Sequence, residues 1–80
     1  MTIPIELQHV LHSDPEILSG AVRFIGTRVP VQALIDTLDG GGTLEEFLEG
    51  WPCVTREQAL AIIHWEKSQT RKAFGLDLAG

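Results

Sequence analysis

The sequence lacks most of the features that mark secreted, membrane-spanning and disulfide-stabilised proteins. Cys53 is the only cysteine among 80 residues, so no disulfide can form within the chain, and we expect a reducing compartment, the cytoplasm. No apolar run reaches the length of a membrane span, and the first residues show no basic segment followed by an apolar one. Neither membrane insertion nor secretion is expected.

Basic residues are also scarce. Six Lys and Arg stand against eleven Asp and Glu, which gives a formal net charge of −5. Such a balance provides no overall attraction for nucleic-acid phosphates, so DNA binding would need a local basic patch. Half of the basic residues lie between Lys67 and Lys72, near the C-terminus. The acidic remainder of the chain suits a basic protein partner.

Patterns for metal binding and catalysis are sparse. His9 and His12 with Asp14 come nearest to a metal site, but alternation along a strand would direct the two histidines to opposite faces. Cys53 and His64 lack a third group that would orient them as nucleophile and base, and we expect Cys53 to be a buried structural residue. A chain this short builds no substantial pocket. We expect no metal, no cofactor, no small-molecule substrate and no enzymatic activity.

The composition nevertheless predicts a folded domain. Hydrophobic residues make up 44% of the chain and charged residues 21%, as in globular proteins. We interpret residues 1–80 as one domain, with a β arm at 1–29, a helical core at 30–74 and a tail at 75–80. Because a core of this size is thin, burial of further apolar surface in a homodimer would stabilise the fold.

Two short runs, 5–11 and 21–25, have the composition of strands and predict a small hairpin or arm. Ser13, Asp14 and Pro15 interrupt the chain between them. The segment 15–18 fits one helical turn equally well.

From Pro30 the apolar period changes to that of a helix. Apolar residues recur at helical spacing at Val31, Leu34, Ile35 and Leu38. This spacing predicts a first helix, which Gly40 or Gly41 would end. Pro30 suits the first turn of that helix, where no backbone N–H is needed.

Two capping boxes predict two further helices. Thr43 with Glu46 begins a short one that ends near Gly50, and Thr55 with Gln58 begins one that continues to about Ala73. Acidic residues near the start of the last helix and basic residues near its end suit the helix dipole.

Three helices joined by short turns predict a helix-turn-helix bundle, homeodomain-like or winged-helix-like, with the N-terminal hairpin or arm added. In that motif the start of the recognition helix faces the bases, so the candidate DNA-binding residues are Thr55, Arg56 and Gln58, together with Arg23 and Arg28. Against this interpretation stand several acidic residues nearby and a long turn before the last helix. The same pattern fits an ordinary three-helix core equally well.

A more specific signal begins at Asp14-Pro15-Glu16-Ile17-Leu18 and continues through Phe24-Ile25 into Gly26-Thr27-Arg28-Val29-Pro30-Val31. With Gly42, Trp51-Pro52 and Thr55 further on, the segment 13–63 resembles the domain-of-unknown-function family 433. Ala21-Val22 stands where that family has Lys-Pro, so no role of the family's lysine can be transferred to this chain. Trp51 stands where the family has Tyr.

The resemblance implies a usually dimeric helix-turn-helix-like domain with a short β element. It also implies the antitoxin of a two-gene toxin-antitoxin module whose partner is a PIN-like ribonuclease toxin. Within the motif, Gly26 permits a turn, Thr27 can bond backbone N–H groups near the helix start, and Arg28 can pair with Asp14 or contact a phosphate or a partner.

The leading hypothesis is an antitoxin that dimerises, binds its promoter DNA through the third helix and neutralises the toxin. Candidate partner-binding residues lie late in the chain: Trp65, Arg71, Lys72 and Phe74. The alternatives are a stand-alone DNA-binding regulator and a protein-interaction module without DNA binding.

Overall fold

The computed structural model describes residues 3–16 and 20–76 and shows a mainly helical bundle with a small two-stranded arm. A 3-10 helix at Ile5–Leu7 comes first, and strands β1 and β2 and helices α1, α2 and α3 follow in the order Leu11–His12, Arg23–Phe24, Val31–Asp39, Leu44–Gly50 and Arg56–Ala73. The predicted fold class is thereby confirmed. Within the described ranges, none of the helices combines the length and apolar character that crossing a bilayer requires.

The arm contains less strand than the sequence predicts. Residues 5–10 are not a strand, because the N–H of Leu7 donates to the carbonyl of Pro4 and that of Val10 to Leu7. These local bonds turn the chain and bury Leu7 and Val10 on the same side, three residues apart. The hairpin itself is confirmed over two residue pairs, since Leu11 pairs with Phe24 and His12 with Arg23 in antiparallel register.

Helix α1 has the predicted face and the predicted glycine stop. Leu34 is fully buried. Pro30 was expected in the first turn, but it is the N-cap residue, with an extended backbone, and the helix begins at Val31. Gly41 adopts a φ of 88°, which side chains disfavour. A Cβ at Gly42 would lie 2.8 Å from the carbonyl oxygen of Thr37, so this turn also requires close backbone approach.

Both predicted capping boxes are present. The Thr43 hydroxyl accepts from the N–H of Glu46 at the start of α2, and the Thr55 hydroxyl accepts from the N–H of Gln58 at the start of α3. Each reciprocal side-chain bond to the cap residue is formed as well. Local hydrogen bonding alone therefore sets where these two helices begin.

The core collects apolar side chains from every element, and its largest fully buried members are Phe24, Leu34 and Phe47. The rings of Phe24 and Phe47 lie 6.1 Å apart and are tilted by 52°, a favourable aromatic contact. Val54 is buried after α2, whereas Cys53 is exposed, so the prediction of a buried cysteine was wrong. The N–H of Val54 donates to the carbonyl of Trp51, which closes a turn around Pro52 and Cys53.

Phe47→Ala should lower the free energy of unfolding by about 3–5 kcal/mol, because it empties a fully enclosed site. Phe74→Ala removes the same ring from a side chain that is 76% exposed, and should change stability by less than about 0.5 kcal/mol. Urea denaturation followed by tryptophan fluorescence measures both. Equal losses in the two variants would contradict this account of the core.

Candidate functional site

The start of α3 uses two of its predicted DNA-binding side chains for structure. Thr55 and Gln58 form the capping box, with distances of 3.0 and 3.1 Å between donor and acceptor. The Gln58 Nε2 also donates to the carbonyl of Ile25 at 3.0 Å. This bond attaches the loop after β2 to α3 across 33 residues of sequence, and nothing in the local sequence pattern reveals it.

Arg56, the third of these residues, pairs with Glu45 of α2. Two contacts of 2.6 Å join the guanidinium to the carboxylate, and both side chains are more than half exposed. The hydrogen bond from Arg56 and its positive charge lower the pKa of Glu45, and Glu45 raises that of Arg56. The pair connects α2 to α3. It also neutralises the positive charge of Arg56, which a bound phosphate would need as its partner.

Further negative charge surrounds that pair. Glu46, Glu49 and Glu57 are all exposed on α2 or in the first turn of α3. The start of α3 therefore carries one cation, already paired, among exposed acids. Any phosphate approaching this end meets opposing charge.

The two arginines of the arm differ in environment. Arg23 is partly buried, and its Nη1 donates to the carbonyl of Thr27 at 2.8 Å. Its Nε is buried without a hydrogen-bond partner among residues 3–16 and 20–76. Arg28 is exposed, and the expected ion pair with Asp14 does not form. Asp14 instead accepts from the backbone N–H of Glu16, a local turn bond of 2.9 Å.

Thr27 has a structural role, although not at the helix start. Its buried hydroxyl donates to the carbonyl of Phe24 and accepts from the N–H of Val29, at 2.9 and 3.0 Å. Gly26 beside it has a φ of 78°, as a turn at this point requires. These contacts close the loop that contains the exposed Arg28, and the bond from Gln58 to Ile25 attaches the start of that loop to α3.

The C-terminal end of α3 extends beyond the core. Ile62 is its last buried residue, and residues 69–76 are exposed throughout. The predicted partner-binding residues Arg71, Lys72 and Phe74 all lie in this exposed part. Phe74 and Leu76 are 76% and 56% exposed, unusually high values for large apolar side chains.

Among the described residues, a basic depression and an apolar groove border this helix. A shallow depression of about 360 Å³ is lined by His64, Lys67 and Arg71, and therefore has a basic wall. On another side lies an apolar groove of about 460 Å³, which the sequence analysis missed because the 3-10 helix, the arm, α1 and α3 all contribute to it. Trp65, the remaining predicted partner contact, lines this groove and packs partly against the core. Its indole Nε1 is buried and has no hydrogen-bond partner in the described part of the chain.

Across the segments that the structure describes, no group of three or more His, Cys, Asp and Glu side chains is arranged to hold a metal ion. The surfaces above consist of charged and apolar side chains on helices. Such surfaces can bind a macromolecule.

The chain is similar to a protein family, to one of its relatives and to a solved structure. The family described as "Protein of unknown function (DUF433)" matches residues 11–65. An uncharacterized protein of Sinorhizobium fredii, y4eO, is 35% identical over 65 residues; the match covers 80% of this chain and 29% of the relative, so the chain spans less than a third of that protein. The crystal structure of a DUF433 member protein from Anabaena variabilis has a similar fold, with a TM-score of 0.66 and 24% identity over 99% of this chain and 88% of that chain.

Arg56→Gln should raise the pKa of Glu45 toward its ordinary value of 4.5, because the guanidinium hydrogen bonds and the positive charge are removed together. In the native protein the lowered pKa stabilises the fold above pH 4.5, and that contribution is lost as the pH falls through the lowered value. Carboxyl NMR titration measures the pKa directly. Arg71→Gln is the control and should leave the Glu45 pKa lowered; a shift in this variant would contradict the assignment.

Proposed function

This chain belongs to the DUF433 family, and we propose that it is the antitoxin of a type II toxin-antitoxin module. In this role it binds and neutralises a PIN-like ribonuclease toxin. The observation that carries the proposal is the exposed C-terminal end of α3 and the residues after it, 69–76, which combine basic and apolar side chains and lie outside the core.

The chemistry of this helical end suits a protein partner. Exposed Phe74 offers an apolar anchor of the kind that dominates interface energetics, and Arg71 offers a planar donor for carboxylates. From Lys67 to Leu76 the chain has three basic residues and no acidic one. A complementary surface is therefore acidic with an apolar centre.

A ribonuclease that holds metal ions with carboxylates has such an acidic centre. Arg71 or Lys72 entering that centre would pair with the metal-binding carboxylates. Metal binding and RNA binding would then be blocked together. A toxin surface of this kind accounts for a basic helix end on an otherwise acidic protein.

DNA binding is the second candidate function, and one specific observation favours it. The hydrogen bond from Gln58 to Ile25 attaches the loop that contains exposed Arg28 to the first turn of α3, which carries exposed Arg56. The Glu45 partner of Arg56 opposes this function. A promoter-binding antitoxin uses both ends of α3, a stand-alone regulator uses the start alone, and an interaction module uses the exposed end alone.

The double variant Arg71→Ala/Phe74→Ala should weaken inhibition of the toxin by about tenfold or more, because a charged contact and an aromatic anchor are lost together. The measurement is cleavage of a labelled RNA by the nuclease encoded beside this chain, titrated with the purified chain. Arg28→Ala, which removes one exposed charge from the other end, should inhibit like the wild type. Failure of the wild-type chain to inhibit, or full inhibition by the double variant, would refute the toxin contact.

If the start of α3 binds promoter DNA, Arg56→Ala and Arg28→Ala should each flatten the dependence of log affinity on log salt by about one unit, as expected for one lost phosphate contact. Glu45→Gln should strengthen binding, because it removes a negative charge and releases Arg56. Fluorescence anisotropy with the upstream DNA measures these slopes. Lys67→Ala is the control; an unchanged slope in the Arg56 and Arg28 variants would exclude this surface.

A further inference from the structure

The basic depression on α3 belongs to a longer row of side chains along one face of this helix. His64, Lys67 and Arg71 line the depression, and all three are exposed. They stand three and four residues apart, the spacing that places side chains on one face of a helix. Glu66 lines the apolar groove on another side of α3, so its carboxylate does not belong to this row.

Phe74 continues the row at the end of the helix. It follows Arg71 by three residues, and its N–H donates to the carbonyl of Thr70 at 3.1 Å, so helical hydrogen bonding includes it. The chain turns away only at Gly75, which has a φ of 69°. We define the α3 stripe as four exposed side chains: His64, Lys67, Arg71 and Phe74. It has an aromatic ring at each end and two cations between them, over roughly 15 Å of helix.

Folding does not account for this arrangement. Lys67 and Arg71 are like charges four residues apart, which destabilises a helix. In the described part of the chain the only ion pair joins Arg56 to Glu45, so neither cation is compensated there. The helix dipole favours cations in the last turn, which includes Arg71 but not Lys67. An exposed ring such as that of Phe74 also forgoes the stabilisation of burial. A ligand gives all of these side chains a role.

We propose that the α3 stripe binds single-stranded RNA. Proteins that hold a single strand combine cations along its backbone with aromatic rings on which its bases stack. Lys67 and Arg71 contact phosphates, the ring of Phe74 stacks on an unpaired base, and the imidazole of His64 offers a second stacking surface. Bases in a duplex are already stacked on one another, so a duplex would leave the ring of Phe74 without a partner. RNA fits better than DNA, because unpaired bases are common in RNA loops and ends.

The acidic start of α3 limits where the strand can lie. Glu57 is two turns before His64 on the same face, so phosphates are repelled there and held from Lys67 onward. The proposal goes beyond the toxin contact, in which His64 and Lys67 take no part. RNA and toxin share Arg71 and Phe74, so binding of one excludes the other.

Fluorescence anisotropy of the purified chain with a labelled single-stranded RNA of about twelve nucleotides tests the proposal. Lys67→Ala and Arg71→Ala should each flatten the dependence of log affinity on log salt by about 0.7, the value for one phosphate contact on a single strand. Phe74→Leu keeps an apolar side chain without the ring, and should weaken binding about fivefold or more at an unchanged slope. Lys72→Ala makes the same charge change off the stripe and should keep the wild-type slope.

The same RNA annealed to its complement should bind about fivefold more weakly than the single strand, because stacking on Phe74 is lost. Equal affinity for the duplex, or wild-type affinity in Phe74→Leu, would show that phosphates alone are bound and would overturn the proposal. Absence of RNA binding by the wild type, or an unchanged slope in Lys67→Ala, would overturn it as well.

Lys67→Ala also separates this proposal from the toxin contact. In the RNA cleavage assay it should inhibit the toxin like the wild type, although its affinity for RNA is lowered. Loss of both properties would support RNA binding and refute the toxin contact, because inhibition would then depend on the RNA. Loss of neither would refute RNA binding and leave the toxin contact standing.

Discussion

The contact between Phe24 and Phe47 is the interaction on which the rest of this small structure depends. One ring belongs to the two-residue strand β2 and the other to the seven-residue helix α2, and neither element is long enough to be stable alone. By packing against each other, the rings hold the arm against the helices. The bond from Gln58 to Ile25 then attaches the adjoining loop to α3. The loop that contains Arg28 is therefore held both by the core and by the first turn of α3.

A second constraint is the uneven distribution of charge along α3. Its start is capped, tethered and surrounded by acids, and its one cation there is paired. Its end is basic, apolar at the tip and unsupported by the core. A helix divided in this way presents different chemistry at its two ends, so the toxin contact proposed at the basic end and the DNA contact proposed at the other do not compete for one surface.

Sequence reasoning succeeded where structure is determined by neighbours in the chain. The starts of α2 and α3 were predicted from Thr43 with Glu46 and Thr55 with Gln58, since a capping box involves residues three positions apart. It failed where burial depends on distant elements. Leu7 and Val10 were placed in a strand, although their common burial reflects a helical turn packed against α3, and the pairing of Arg56 with Glu45 went unforeseen because it crosses between helices.

By itself, the sequence determined the three helices, their caps, the glycine turns, the acidic character of the whole and the family to which the chain belongs. Each of these follows from composition, from short-range periodicity or from hydrogen bonds between near neighbours. The tertiary structure alone decided that Arg56 pairs with Glu45, that Cys53 faces solvent, and that several elements enclose an apolar groove beside Trp65. Those features depend on contacts between residues far apart in sequence, and no local pattern specifies them, because burial and charge pairing arise only when the elements pack together.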